Sequence, residues 1–511
     1  MRQHLHVRPG AVPRALAVLA AAAVVALAGA PPAAAQSLEE FEAKTTEHVL
    51  DNGWTFIIVE RPVAPVFSFA TYVGVGSVEE VPGITGLAHM FEHMAFKGTS
   101  VIGTSDYEAE KAAIEKIETT YRDLAAARAA LEPDAERVAE LEAAFQAALE
   151  AAEQYVVANE FGEIIDREGG VGLNAFTSAD VTGYFYSLPA NKLELFALLE
   201  SERFLDPVFR QFYQERDVVQ EERRLRTESQ PIGRLIEQFL AVAFTAHPYG
   251  QPTVGYMSDL QSFTMTDAER FFDTYYVPSN MVTVVVGDVD PKRVIQLAER
   301  YFGRIPAGEP PPPVRTVEPA SIAEKVVRIP DPAQPFYIEG YLKPPATHPD
   351  QAIYDAIDDI LSNGRTSRLY RRLVEDEKIA VAAASFSGLP GDQFKNLWMA
   401  YAVPAKDVEN EEVQAAIREE IERLKTELVT DEELARFKTR AKADLIRGLR
   451  SNQGLANQLA EYQTLFGDWR ALFRYIDAIE KVTKEDVQRV ARETFVPTNR
   501  TVGMIVTQPA A

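Results

Sequence analysis

Apolar and polar positions alternate with two different periods along this chain, and the two periods divide it into strands and helices. Residues 47–60 (EHVLDNGWTFIIVE) read as a hairpin: Asp51-Asn52-Gly53 is turn chemistry, and Trp54 to Val59 is rich in β-formers. Val66 to Val75 predicts a second strand. A helix follows within GLAHMFEHMAFKGT, residues 86–99, with Thr85 and Gly86 at its start, Leu87, Met90 and Phe91 facing a core, and Gly98 ending it. Residues 107–160 are rich in Ala, Glu, Arg and Leu, with a proline at 133. They predict two long helices that meet at Glu132-Pro133-Asp134, most simply as an antiparallel hairpin. Gly169 to Thr177 predicts a strand whose backbone is closely approached. Residues 191–204, 212–227 and 267–276 predict amphipathic helices, and 280–286 (NMVTVVV) a strand.

Helix and sheet are expected to end at Pro306, where AGEPPPP (307–313) makes a stiff, extended linker. An internal repeat supports a boundary there. YVPSN at 276–280 runs into MVTVVVG, and FVPTN at 495–499 runs into RTVGMIV. Each copy follows a predicted helix beginning after a threonine, Thr266 or Thr483. The expected architecture is α+β: two homologous domains, 36–306 and 323–511, joined by a linker at 307–322 and each a mainly antiparallel sheet covered by helices. The helical hairpin of 107–160 is an insertion in the first.

Composition narrows the function. The chain has 511 residues, 46% hydrophobic and 25% charged, with a formal net charge of −24. An acidic surface argues against nucleic-acid binding. There is no cysteine, which excludes disulfides, thiolate metal sites and a lipid anchor on a leader cysteine. The first 35 residues read as a secretory signal peptide: Arg2, Arg8 and Arg14, an apolar run from Ala15 to Ala30, and small residues before a cleavage point after Ala35. Beyond the leader no run is apolar and long enough to span a bilayer. An exported, periplasmic protein is expected.

The chemistry lies in the segment around His89, Glu92 and His93. On a helix His89 and His93 share a face, four residues apart, and can hold one metal ion. Glu92 lies on the same side and can reach a water on that metal. Two imidazoles and a carboxylate base are the parts of a metal hydrolase. Two of the chain's seven histidines fall in this five-residue window.

H-x-x-E-H is the inverted zincin signature. With its flanks it resembles the pitrilysin-type metallopeptidases, the class that includes the mitochondrial processing peptidase. The resemblance implies one Zn²⁺ per chain, with a third ligand from a segment like E-R-x-x-V-x-x-E. Glu215, Arg216, Val219 and Glu222 match it; Glu222 falls on the ligand position and Glu215 on the second acidic position, orienting a histidine or water. Glu221 is the neighbour one residue out of register. The resemblance also makes Asn174, Ala175 and Phe176 part of an edge strand to which a peptide adds as a further strand.

The second half has no H-x-x-E-H. Self-sufficient family members carry there an Arg and, seven residues on, a Tyr that hold the substrate carbonyl. Val374 and Val381 occupy those positions, and nearby Arg368, Tyr370 and Arg372 are expected to serve packing and surface. The implied enzyme is a zinc endopeptidase for peptides or unfolded polypeptides in which Glu92 assists attack by a zinc-bound water. This chain would be the zinc-bearing subunit of a heterodimer, rather than a homodimer, with a related partner supplying the Arg/Tyr pair. The rival reading is a non-catalytic, chamber-forming or peptide-binding scaffold.

Overall fold

The computed structural model describes residues 38–508; the leader with its cleavage point lies outside them. Residues 38–44 form a unit of their own, with one helical turn at Leu38–Glu42. Residues from Thr45 onward form the second unit, which is α+β and carries two sheets, as the hydrophobic pattern predicts.

The first sheet has six strands: β1 (Thr45–Val49), β2 (Thr55–Glu60), β3 (Val66–Val73), β4 (Val171–Thr177), β5 (Thr182–Pro189) and β6 (Met281–Gly287), in the spatial order β1-β2-β6-β3-β5-β4. All neighbours are antiparallel except β2 and β6. The second sheet has five: β7 (Lys325–Asp331), β8 (Phe336–Lys343), β9 (Ala380–Leu389), β10 (Asn396–Pro404) and β11 (Arg500–Thr507), in the order β7-β11-β8-β10-β9. Here only β7 and β11 run parallel. In both sheets, then, a single parallel pair stands in an otherwise antiparallel order.

The helices used below are α1 (Leu87–Met94), α2 (Tyr107–Arg128), α3 (Ala135–Glu153), α4 (Glu160–Arg167), α5 (Leu193–Leu205), α6 (Phe212–Arg223), α7 (Pro231–Ala243), α8 (Met265–Tyr275), α9 (Asn452–Phe466) and α10 (Lys484–Thr494). Helices α2 and α3 pack against each other. Asp106 and Asp134 cap their N-termini by accepting backbone N–H groups.

The repeat seen in the sequence is a repeat of hydrogen bonds. Asn280 donates to the carbonyls of Tyr275 (3.0 Å) and Gly74 (3.0 Å). Asn499 donates to those of Thr494 (3.0 Å) and Leu342 (2.9 Å). Each asparagine thus ties the end of a helix to the next strand's neighbour. The preceding helices both open on a Thr-x-x-Asp capping box, Thr264 with Asp267 and Thr483 with Asp486. The first of these begins at Met265, two residues before the expected start after Thr266, because Thr264 has the aspartate three residues on.

The two sheets share their coverings crosswise. Helix α7 lies on β7 and β11 of the second sheet, and α9 lies on β3 and β6 of the first. A Cβ on Gly503 or Gly340 would meet the Phe239 ring of α7 at 3.0 Å, so glycine lets the helix approach the strands. Gln453 of α9 donates to the Phe69 carbonyl of β3 at 3.0 Å. The segment between the sheets is also tied down. Glu318 is 2% exposed and accepts the N–H groups of Thr245 (2.8 Å), Ala246 (2.9 Å) and His247 (2.9 Å).

Candidate metal centre and substrate cleft

Helix α1 is shorter than its sequence suggests. It ends at Met94, four residues before Gly98, where the chain turns and the Lys97, Thr99 and Ile102 carbonyls accept hydrogen bonds from buried Arg210. Its start is capped by a residue the sequence reading passed over. Gly86, with φ +96°, supplies no side chain; instead Glu80 accepts the N–H groups of Gly86 (2.8 Å) and Ala88 (2.7 Å). Burial nevertheless pushes the Glu80 carboxyl up to about 8.

Helix α1 meets α6 at the predicted residues. Nε2 of His89 and Nε2 of His93 each lie 3.5 Å from the same Glu222 oxygen, Oε2. One ligand atom from each of the three residues falls within 4.8 Å of the others. Two ligands bound tetrahedrally at about 2 Å to one ion stand roughly 3.3 Å apart, so the spacing suits a shared Zn²⁺. Burial lowers the His89 pKa to about 4 against the pull of Glu222, leaving the ring neutral, as a metal ligand must be. Its other nitrogen, Nδ1, is buried without a partner. The donor set fits zinc.

Glu215 lies behind His93, with Oε2 3.3 Å from Nδ1, and it pairs with Lys97. Burial acts to raise the Glu215 pKa, but His93 and Lys97 outweigh it and hold the carboxyl below its ordinary value. A carboxylate on Nδ1 fixes the tautomer that leaves Nε2 free to ligate. Glu221 points elsewhere, pairing with Arg224 at a mostly exposed position. Glu92 is partly buried; burial raises its pKa, and a hydrogen bond with Thr177 works the other way. Arg226, one turn beyond Glu222 and 75% exposed, pairs with Glu222 Oε1. Thr177 and Lys97 lie within stretches the sequence singles out, but nothing in the sequence gives either a role, and Arg226 carries no motif signal.

Strand β4 is the edge of its sheet and packs beside α1. Asn174 is exposed and Ala175 buried, and both line a cavity that Glu92 and His93 also border. Phe176 is not among its lining residues; it packs against Tyr72 (5.4 Å between ring centroids) and Phe185 (6.5 Å).

In the second half Val374 packs against the core and Val381 is 63% exposed on β9. Arg368 is held by Glu433, and Arg372 by Glu377, Glu419 and Glu420.

A paired α+β fold with two histidines and a glutamate around one ion position is the architecture of a zinc-peptidase class. Residues 55–122 match the family model described as insulinase (peptidase family M16), and residues 262–441 match the peptidase M16 inactive domain. The zinc protease PqqE of Helicobacter pylori is 31% identical over 435 residues, 84% of each chain. An uncharacterised zinc protease of Mycobacterium leprae is 25% identical over 471 residues, 90% of this chain and 91% of the relative. Among solved structures, a protease from Helicobacter pylori aligns with a TM-score of 0.75 at 28% identity, covering 91% of this chain and all of the other. The periplasmic protease PqqL of Escherichia coli shares the fold, with a TM-score of 0.67 at 18% identity over 91% of this chain and 48% of its own. The chain belongs to the pitrilysin-type peptidase family M16.

Proposed function

We propose that the protein is a zinc-dependent endopeptidase acting on peptides or unfolded polypeptides. The clustering of His89, His93 and Glu222 within ligand spacing, with Glu92 alongside, carries this reading. These three residues would hold the ion, with Glu215 orienting His93. A zinc ion bound there would polarise the scissile carbonyl and acidify a water. Glu92 would accept the proton of the attacking water on its carboxylate and return it to the leaving amine. The raised Glu92 pKa supports the first transfer, since a more basic carboxylate takes the proton more readily. Residues 174–175, on an open edge beside α1, would pair with an extended substrate.

The valines at 374 and 381 favour a split site, in which a related subunit supplies an Arg/Tyr pair to this zinc-bearing chain. The basic leader favours export to the periplasm, with the division into 36–306, 307–322 and 323–511 in the mature protein. The test is casein cleavage by the chain from Gln36 onward, alone and with a co-expressed related subunit, with zinc counted by mass spectrometry. One zinc per chain with cleavage in the pair alone is expected. Full-rate cleavage by the single chain would refute the split site, and zinc-free protein would favour the scaffold reading.

A further inference from the structure

One loop of the second half is fastened to the strand edge that runs beside the metal-ligand cluster of the first. The fastening is Asp180, in the turn between β4 and β5, which is 4% exposed. Its Oδ2 accepts the N–H groups of Asp392 (2.6 Å) and Gln393 (3.1 Å), in the loop between β9 and β10. Its Oδ1 accepts the Tyr249 hydroxyl, whose oxygen in turn accepts the Phe394 N–H at 3.3 Å. Three consecutive amides of the second half thus close on one carboxylate and one phenol of the first. The fit leaves no room for a side chain: a Cβ on Gly391 would lie 2.6 Å from the Tyr249 oxygen and closer still to Asp180 Oδ2. The Phe394 ring completes the joint, 4.9 Å from the His247 ring and 5.8 Å from that of Tyr249 between centroids.

The turn that Asp180 anchors leads directly to the proposed chemistry. Ser178 Oγ accepts the N–H groups of Asp180 (3.2 Å) and Val181 (3.1 Å), and Val78 donates its N–H to the Ala179 carbonyl (2.9 Å). These bonds make the turn one piece. Thr177 stands immediately before it, at the end of β4. The Thr177 hydroxyl reaches both the Ala88 carbonyl of α1 (3.4 Å) and the Glu92 carboxylate. Three residues therefore separate the group that steadies Glu92 from a buried carboxylate bonded to three donors, which is a fixed point. Without that anchor, a hydroxyl at the end of an edge strand is free to swing. A displacement of about 1 Å in a catalytic group costs about a hundredfold in rate.

We infer that Asp180 is a positioning residue for the peptidase reaction: through it the second half seats the turn at 178–181, and the turn holds Thr177 against Glu92. The inference rests on the peptidase reading for its chemistry. It adds to that reading a task for the half of the chain without the zincin motif. Asp180 acts only through Thr177.

The test compares Asp180→Ala, Asp180→Asn, Tyr249→Phe and Thr177→Val in the full mature chain. Each is loaded with zinc and assayed on labelled casein as the single chain or the co-expressed pair, whichever cleaves, with kcat counted per folded, zinc-loaded chain. Asp180→Ala is expected to lose about ten- to hundredfold in kcat, with KM within about threefold and zinc affinity unchanged. Asp180→Asn keeps an oxygen for the two loop N–H groups and should recover most of that loss. Thr177→Val should match Asp180→Ala, and the double variant should be little worse than either, because both cut the same chain of contacts. Tyr249→Phe removes one donor and keeps the ring, so it should fold even where the alanine variant does not, and lose about fivefold, the effect of one hydrogen bond. Hydrogen–deuterium exchange over residues 174–181 is a readout that needs no activity: it should quicken in Asp180→Ala and not in Asp180→Asn. A kcat within about twofold of wild type in both Asp180→Ala and Tyr249→Phe, a loss that Asp180→Asn does not restore, or additive losses in the double variant would overturn the inference. Casein left intact by the wild-type chain and by the pair, with exchange quickened as expected, would sink the peptidase reading and leave the seating of the turn standing.

Discussion

Arg210→Met should be among the most damaging single changes in the first half of the chain. The Arg210 and Glu110 side chains are 2% and 1% exposed. The guanidinium makes two hydrogen bonds to that carboxylate and others to the carbonyls of Thr99 (2.8 Å), Ile102 (3.0 Å) and Lys97. It therefore joins the turn after α1 to the first helix of the hairpin. Removing it leaves a buried carboxylate uncompensated, which costs about 3–5 kcal/mol, while the pair as a whole is worth far less than that. Adding Glu110→Leu to Arg210→Met should accordingly recover about 2 kcal/mol, although it removes a second native side chain. The remaining deficit belongs to the three carbonyls, at about 1 kcal/mol or more each. Urea unfolding followed by far-ultraviolet circular dichroism gives both numbers. An Arg210→Met loss under about 1 kcal/mol, or a double variant no more stable than the single, would refute the reasoning.

Two further outcomes are expected. Glu215→Gln should weaken zinc binding by about 10- to 100-fold in chelator competition, because the amide no longer fixes the His93 tautomer; unchanged affinity would free Glu215 of that role. Burial, then the charge of Asp392, pushes Glu461 up to about 7, and burial pushes Asp392 itself up to about 6. Folded values above the unfolded ones mean that the stability these groups contribute is present below about pH 4.5 and lost as pH rises through 7. The urea midpoint should fall between pH 5 and pH 8, and Glu461→Gln should flatten that fall; equal slopes would contradict the assignment.

What the sequence made legible was local. His89 and His93 stand four apart, so a helix alone brings them together, and the alanine- and glutamate-rich hairpin declares its period over fifty residues. Glu222 was reached only through family resemblance, since nothing in a polar helix 129 residues away from His93 marks one carboxylate among its neighbours. The crosswise covering by α7 and α9 was not legible: an amphipathic stripe shows that a face is buried but not which sheet buries it. Glu80 was missed for a related reason. Its role comes from backbone N–H groups that converge only after the chain has turned at Gly83 and Gly86. The short end of α1 was hidden because Ala95 and Phe96 continue the helical pattern, while Arg210, more than a hundred residues on, takes the carbonyls beyond it.

A single substitution tests whether this chain carries a carbonyl clamp of its own. Arg226 stands beside the proposed zinc ligands with donors to spare: one nitrogen pairs with Glu222 Oε1, and the side chain is 75% exposed. Its charge is also felt at His89 and Glu92. If a partner supplies the clamp, Arg226 is only a competitor of zinc for Glu222. Arg226→Ala should then tighten zinc binding severalfold, by removing both the competing ion pair and a like charge near the metal, and leave kcat of the pair within a factor of two. If Arg226 itself steadies the developing oxyanion, the same variant should lose about 10²-fold or more in kcat at full zinc occupancy, the loss expected for one such donor. Zinc affinity by chelator competition and kcat of the assembled pair, measured on one preparation, separate the two. Tighter zinc with unchanged kcat is the expected result; a collapse of kcat at full occupancy would place the clamp in this chain and remove the need for a partner.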